Sequence, residues 1–101
     1  MIIYNITTKV AHPAVAAWQQ WMRHTYLPAL MATGLFQSCQ MHRLLDQEDE
    51  EGETFVVQCR AASRAAYEQF SAQHADGLRQ EGYERFGNLF ISFHTLMEEL
   101  P

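Results

Sequence analysis

Apolar residues recur at every second position in four stretches of this chain and at helical spacing in two others. The resulting order is strand, helix, strand, acidic turn, strand, helix, strand. That order constrains the fold strongly. Four amphipathic strands and two helices make one sheet, and the helices can cover only one of its faces. The other face needs a cover, and a second copy of the same chain is the simplest one. At 101 residues the chain is expected to be a single domain spanning 1–101.

Residues 2–10 alternate, with Ile2, Tyr4, Ile6, Thr8 and Val10 on one side and Ile3, Asn5, Thr7 and Lys9 on the other. His12-Pro13 then opens a helix, since proline is tolerated in the first turn. Its stripe is Val15, Trp18, Trp21 and Met22, and with the two tryptophans three apart at most one is expected to face the core squarely. Pro28 predicts a break near Leu27, followed by a short turn through Ala32 and a left-handed cap at Gly34. Residues 35–45 and 54–61 read as strands joined by the acidic, Gly52-containing hairpin. Ser63 is a suitable N-cap for a helix with the stripe Tyr67, Phe70, His74 and Leu78, bending near Ala75. Residues 88–98 form the last strand.

Right-handed crossovers convert this order into an α+β, ferredoxin-like βαββαβ domain. Its four-stranded antiparallel sheet has the order 4-1-3-2, with both helices on one face. Tyr4/Ile6, Phe55/Val57 and Ile91/Phe93 are expected to face the helices. Ile3, Asn5, Thr7, Val56, Gln58, Arg60, Phe90, Ser92 and His94 are left for the open face, with Gln40 and His42 beside them. Such a mixture suits the lining of a cavity between two sheets and predicts a homodimer through the open face.

Half of the twelve acidic residues lie between Asp46 and Glu53, and the rest of the chain carries six acids against seven bases. The basic residues are scattered and include a single lysine, Lys9, so no nucleic-acid surface is expected. No stretch reaches the length of a membrane span, and Met1–Asn5 lacks the features of a signal peptide. A cytoplasmic location with no membrane association is the expectation. A turn centred near residues 49–51 predicts that Cys39 and Cys59 are not directly opposite, so two buried thiols are expected rather than a disulfide. No metal and no cofactor is expected: neither cysteine belongs to a CxxC pair, and no HxH, HxxxH or HExxH spacing occurs. The acidic run reads as a charged hairpin tip that discourages edge-to-edge association.

Several motifs occur together: Met1-Ile-Ile-Tyr-Asn-Ile-Thr7, Trp18-Gln-Gln-Trp21-Met22, Leu27-Pro28, Thr33-Gly-Leu-Phe36, Arg85-Phe86-Gly87 and Phe93-His-Thr95-Leu-Met-Glu98. Over nearly its whole length the chain resembles a bacterial family of about 100 residues, known only as a domain of unknown function. That family looks like part of the dimeric α/β barrel superfamily, in which two ferredoxin-like sheets close back to back around a cavity. The resemblance implies a dimeric α/β barrel. It implies no single activity, because similar folds serve cofactor-independent monooxygenases, haem-degrading enzymes and proteins without known activity. Similar sequences often carry histidine just before the Ile/Leu-Pro pair and near Gly82; this chain has Tyr26 at the former position, and its own His24 lies two residues earlier.

Of the five histidines, His42 and His94 are placed by the pattern in the expected barrel. A cavity histidine suits proton abstraction near neutral pH. Arg60 would hold an anionic group, with Gln58, Asn5 and Ser92 orienting it. The leading expectation is a binding or accessory domain enclosing a small, partly apolar, anionic ligand at the dimer cavity. The alternatives are a cofactor-independent monooxygenase- or isomerase-like enzyme with His94 or His42 as base, and a structural dimer with a filled barrel.

Overall fold

The structure is a computed structural model describing residues 1–101. Strand β1 (Ile2–Ala11) lies at the centre of the sheet, and its alternation is complete: Ile2, Tyr4, Ile6, Thr8 and Val10 are buried while the residues between them are half-exposed. Strands β2 (Ser38–Arg43), β3 (Gly52–Ala61) and β4 (Phe90–Glu98) complete it. The order is β2-β3-β1-β4 and every pairing is antiparallel, which is the expected ferredoxin-like sheet read from its other edge. No helix is long and apolar enough to cross a membrane.

The helical layer begins with a 3-10 turn, His12–Ala14, which leads into α1 (Val15–Trp21). The chain then passes through a π-helical turn, Met22–Tyr26, and continues as α2 (Leu27–Ala32). The interruption expected near Leu27 takes the form of this π-helical turn rather than a gap, and the short segment through Ala32 follows it. Proline cannot donate to a carbonyl four residues back, and its ring crowds that carbonyl. Here the Leu27 amide bonds instead to the Met22 carbonyl, five residues back, and the wider turn accommodates Pro28 inside a continuous helical path. Gly34 adopts a positive φ of 75° just past the end of α2, the left-handed geometry expected of it. Ser63 accepts a hydrogen bond from the Ala66 amide and opens α3 (Arg64–Gln73), and the expected bend falls at His74, before α4 (Ala75–Phe86).

Both tryptophans are buried, and they serve different layers. Trp18 packs on Phe55 of the sheet with ring centres 5.0 Å apart, whereas Trp21 packs on Tyr26 and on Phe86 of α4 at 5.2 and 5.6 Å. Tyr4, Phe55 and Phe70 are the largest side chains with almost no exposure, and the contact of Tyr4 with Phe70 joins the sheet to α3.

Two expectations about the sheet are overturned. First, β4 is turned over. Ile6 lies opposite His94, Thr8 opposite Ser92 and Val10 opposite Phe90, so Phe90, Ser92, His94 and Leu96 share the helix-facing side with the buried set of β1. Ile91, Phe93 and Met97 lie on the open face instead, and Ile91 and Phe93 are 56% and 63% exposed. The phase is set by the turn before the strand. There Gly87 takes a φ of 57°, and the Ala11 amide bonds the Leu89 carbonyl at 2.8 Å, which delivers Phe90 beneath Tyr83 and Phe86. A shift of one residue moves every side chain of a strand to the other face.

Second, the β2–β3 register places Cys39 directly opposite Cys59, with Cα atoms 4.1 Å apart, and the pair forms a disulfide on the helix-facing side. The hairpin is centred on residue 49, and that centre makes residues 39 and 59 equidistant from the turn. Protein prepared without reductant, then denatured and treated with iodoacetamide, is expected to take up no label, and to take up two equivalents after reduction. Labelling before reduction would show free thiols.

Candidate functional site

The sheet and the helices do not close completely against each other near β4. Between them lies a cleft with about 430 Å³ of empty space counting its open side, in which the centre of a water-sized sphere can move through about 40 Å³, room for a few waters. Trp21, Met22 and Tyr26 form one wall, Leu78, Arg79, Gly82 and Tyr83 of α4 form another, and Ile6, Thr8, Phe90, Ser92 and His94 form the floor. The π-helical turn carries Met22 and Tyr26 to this wall. Gly82 brings α4 close: a β-carbon there would stand 3.4 Å from the Trp21 ring and 3.5 Å from the Phe90 ring.

The polar groups of the cleft form a short chain. The Tyr4 hydroxyl lies 2.5 Å from Nδ1 of His94, and the two rings stack with centres 5.7 Å apart. The Arg79 guanidinium stands beside the Tyr4 oxygen and holds its proton more firmly than usual. Burial pushes the Tyr4 phenol up, an effect partly offset by Arg79, and burial raises the Tyr26 phenol as well. The Thr8 and Ser92 hydroxyls bond each other at 2.8 Å. Two donors have no partner: Nε of Arg79 and Nε1 of Trp21 are both buried without a hydrogen bond. Such groups are costly to leave unpaired.

Burial, and secondarily the charge of Arg79, lower the pKa of His94 below its usual 6.5. The folded chain therefore binds fewer protons at this site than the unfolded chain does, and stability is lost as pH falls below about 6.5. The melting temperature is expected to decline from there downward until the folded-state pKa is passed. His94→Gln is expected to flatten that part of the curve, and an unchanged profile in the variant would assign the decline to other groups.

The six residues singled out in the sequence separate into two groups. His94 and Ser92 enter the cleft inside the subunit rather than a chamber between two sheets, because β4 is turned over. Asn5, Gln58, Arg60 and His42 belong to the open face. There Gln58 donates to Asn5 at 3.2 Å, and Asn5 donates to Thr7. Arg60, expected to be free for an anion, is ion-paired with Glu99, and His42 is exposed near the edge of the sheet. No three His, Cys, Asp or Glu side chains are grouped as a metal site would require. Arg79, Tyr4, Trp21 and Tyr26 were not recognised as site residues from the sequence. A buried glycine in mid-helix, Gly82, was the one available sign that something approaches α4 there.

The sheet order, the helices on one face and the cleft between the layers define a ferredoxin-like α+β domain. Solved structures of similar fold include a putative antibiotic biosynthesis monooxygenase from Deinococcus radiodurans, 16% identical, which aligns over all of this chain and 94% of its own, with a TM-score of 0.75. SnoaB from Streptomyces nogalater, described as a cofactor-independent oxygenase, is 16% identical over 97% of this chain and 92% of its own, with a TM-score of 0.65. A dimeric ferredoxin-like protein from an uncultured marine organism is 7% identical over 100% and 96%, with a TM-score of 0.70. At such identities the likeness concerns the fold. The chain itself belongs to the family DUF4286, a domain of unknown function, whose model matches residues 1–100. No curated protein matches it.

Proposed function

We propose that the protein is a homodimeric binding domain that holds a small, partly apolar molecule in the cleft of each subunit. The observation that carries this reading is a cleft whose wall is largely aromatic and apolar yet includes Arg79, a cation with no carboxylate partner. Pockets of this character, mostly apolar with a few converging polar groups, are the usual form of small-molecule sites. The open sheet face supports the dimer, since Ile3, Val56, Ile91, Phe93 and Met97 lie there among polar neighbours. The dimeric marine relative is consistent with it.

A second reading has one specific support. His94 is kept uncharged near neutral pH and lies in the cleft, and SnoaB is described as a cofactor-independent oxygenase on a similar fold. On that reading the cleft converts its ligand, as an oxygenase or isomerase would, with His94 handling the proton.

Native mass spectrometry of freshly purified protein tests the main reading. The expected result is a dimer carrying a small organic molecule released on denaturation. A dimer that neither retains a molecule nor changes its tryptophan fluorescence with millimolar aromatic probes would instead be a structural dimer. Turnover of the retained molecule, lost in His94→Gln, would favour the second reading.

A further inference from the structure

We infer that the cleft selects a planar monoanion, an aromatic ring bearing a carboxylate, with the carboxylate held by Arg79 and by Nε2–H of His94. The inference rests on the binding reading above and gives its ligand a chemical class. The argument begins at Tyr4. Its phenol is buried and stays protonated, so its hydrogen needs an acceptor; Arg79 beside the oxygen can only donate, and Nδ1 of His94, 2.5 Å away, is the acceptor. With Tyr4 donating to Nδ1, the uncharged imidazole carries its proton on Nε2. His94 then offers the cleft a donor rather than a base.

The other cleft groups point the same way. Arg79 is a permanent cation, and its Nε–H is unpartnered. Trp21 Nε1–H is donor-only and also unpartnered. No aspartate, glutamate, asparagine or glutamine lines the cleft. The nearest acid along α4, Glu81, pairs with Arg85 on the same helix. A guanidinium without a carboxylate, in an aromatic cleft and beside further donors, is a site built for an acceptor-rich anion.

Size and charge narrow the class. One guanidinium balances one negative charge, which favours a monoanion over a phosphate dianion. The space open to the centre of a water-sized sphere, about 40 Å³, suits a small carboxylate head displacing a few waters. The rest of the molecule would lie in the wider mouth, between Tyr83 and Phe90 on one side and Trp21 on the other. Flat aromatic walls favour a flat ring there.

Benzoate, benzamide and benzyl alcohol serve as isosteric probes, titrated against the dimer by tryptophan fluorescence and by amide NMR shifts. Benzoate is expected to bind at least ~10-fold more tightly than either neutral probe. Arg79→Gln, which keeps hydrogen-bonding capacity and removes the charge, is expected to abolish that preference while leaving benzyl alcohol within about twofold. Imidazole nitrogen NMR of the parent protein is expected to show His94 protonated at Nε2 alone. This measurement, with the probe ratio in the parent, decides the question even if Arg79→Gln does not fold. Equal binding of all three probes overturns the anion assignment and leaves the binding reading standing. A benzoate preference that survives in folded Arg79→Gln, or an Nδ1–H tautomer, overturns the assigned contacts. No binding by any probe removes the cleft reading together with this one.

Discussion

Substituting Phe93 by aspartate is expected to convert the dimer into a folded monomer. Phe93 lies on the open face, on edge strand β4 opposite Thr7 of β1, and is 63% exposed in the single subunit. A residue so exposed contributes little to the core, so circular dichroism and the cooperative melt should survive. In a two-fold dimer each residue counts twice. Burying the exposed part of two phenylalanine rings is worth about 2–4 kcal/mol, and removing them weakens association by roughly 30- to 1,000-fold. Two carboxylates forced out of water oppose association further. Sedimentation over the micromolar range reads the outcome directly: the parent as a dimer, the variant as a monomer. If the variant sediments with the parent, the two sheets do not face each other.

The same face shows where sequence reasoning succeeded and where it failed. The alternation of β1 could be assigned because one set, Tyr4, Ile6 and Val10, is apolar and the other contains Asn5, Thr7 and Lys9. β4 has no such contrast. Phe90 and Leu96 stand on one side, Ile91, Phe93 and Met97 on the other, and the richer set was expected inward. It points outward. A dimer needs apolar residues on both faces, so the pattern rule that orients a strand in a monomer loses its force at an interface. The disulfide was missed for a related reason, since the centre of an eight-residue acidic loop decides whether two cysteines meet.

The cleft was harder to read. His94 and Ser92 were recognised as polar residues among apolar ones, but their placement depended on the phase of β4. Arg79 sits among exposed residues of α4 and looks like an ordinary surface cation in the sequence. Its role depends on what lies across from it, Tyr4 from a strand 75 positions away, and no local pattern carries that information. The π-helical turn that brings Tyr26 to the wall follows from Pro28, whose effect was expected to be a break.

Gly52→Ala is expected to cause the largest loss of stability of any single-methyl change in the chain. A β-carbon at Gly52 would lie 2.1 Å from the Val10 carbonyl oxygen, 2.8 Å from its carbon and 3.1 Å from the Ala11 α-carbon. All three atoms are backbone, and Val10 is fully buried in the central strand, so no side chain can rotate away to make room. Either β1 or the start of β3 must move, at a cost of roughly 3 kcal/mol, or on the order of 15 °C in a domain of this size. Gly77→Ala provides the control. It meets nothing within 4 Å in the first turn of α4 and is expected to stabilise by up to about 0.5–1 kcal/mol. The strain at Gly52 also reaches the cleft, because Val10 pairs with Glu53 on one side and with Phe90, part of the cleft floor, on the other. Any Gly52→Ala protein that remains folded should therefore bind aromatic probes more weakly. A variant melting within a few degrees of the parent would mean that β1 and β3 do not approach so closely at this end of the sheet.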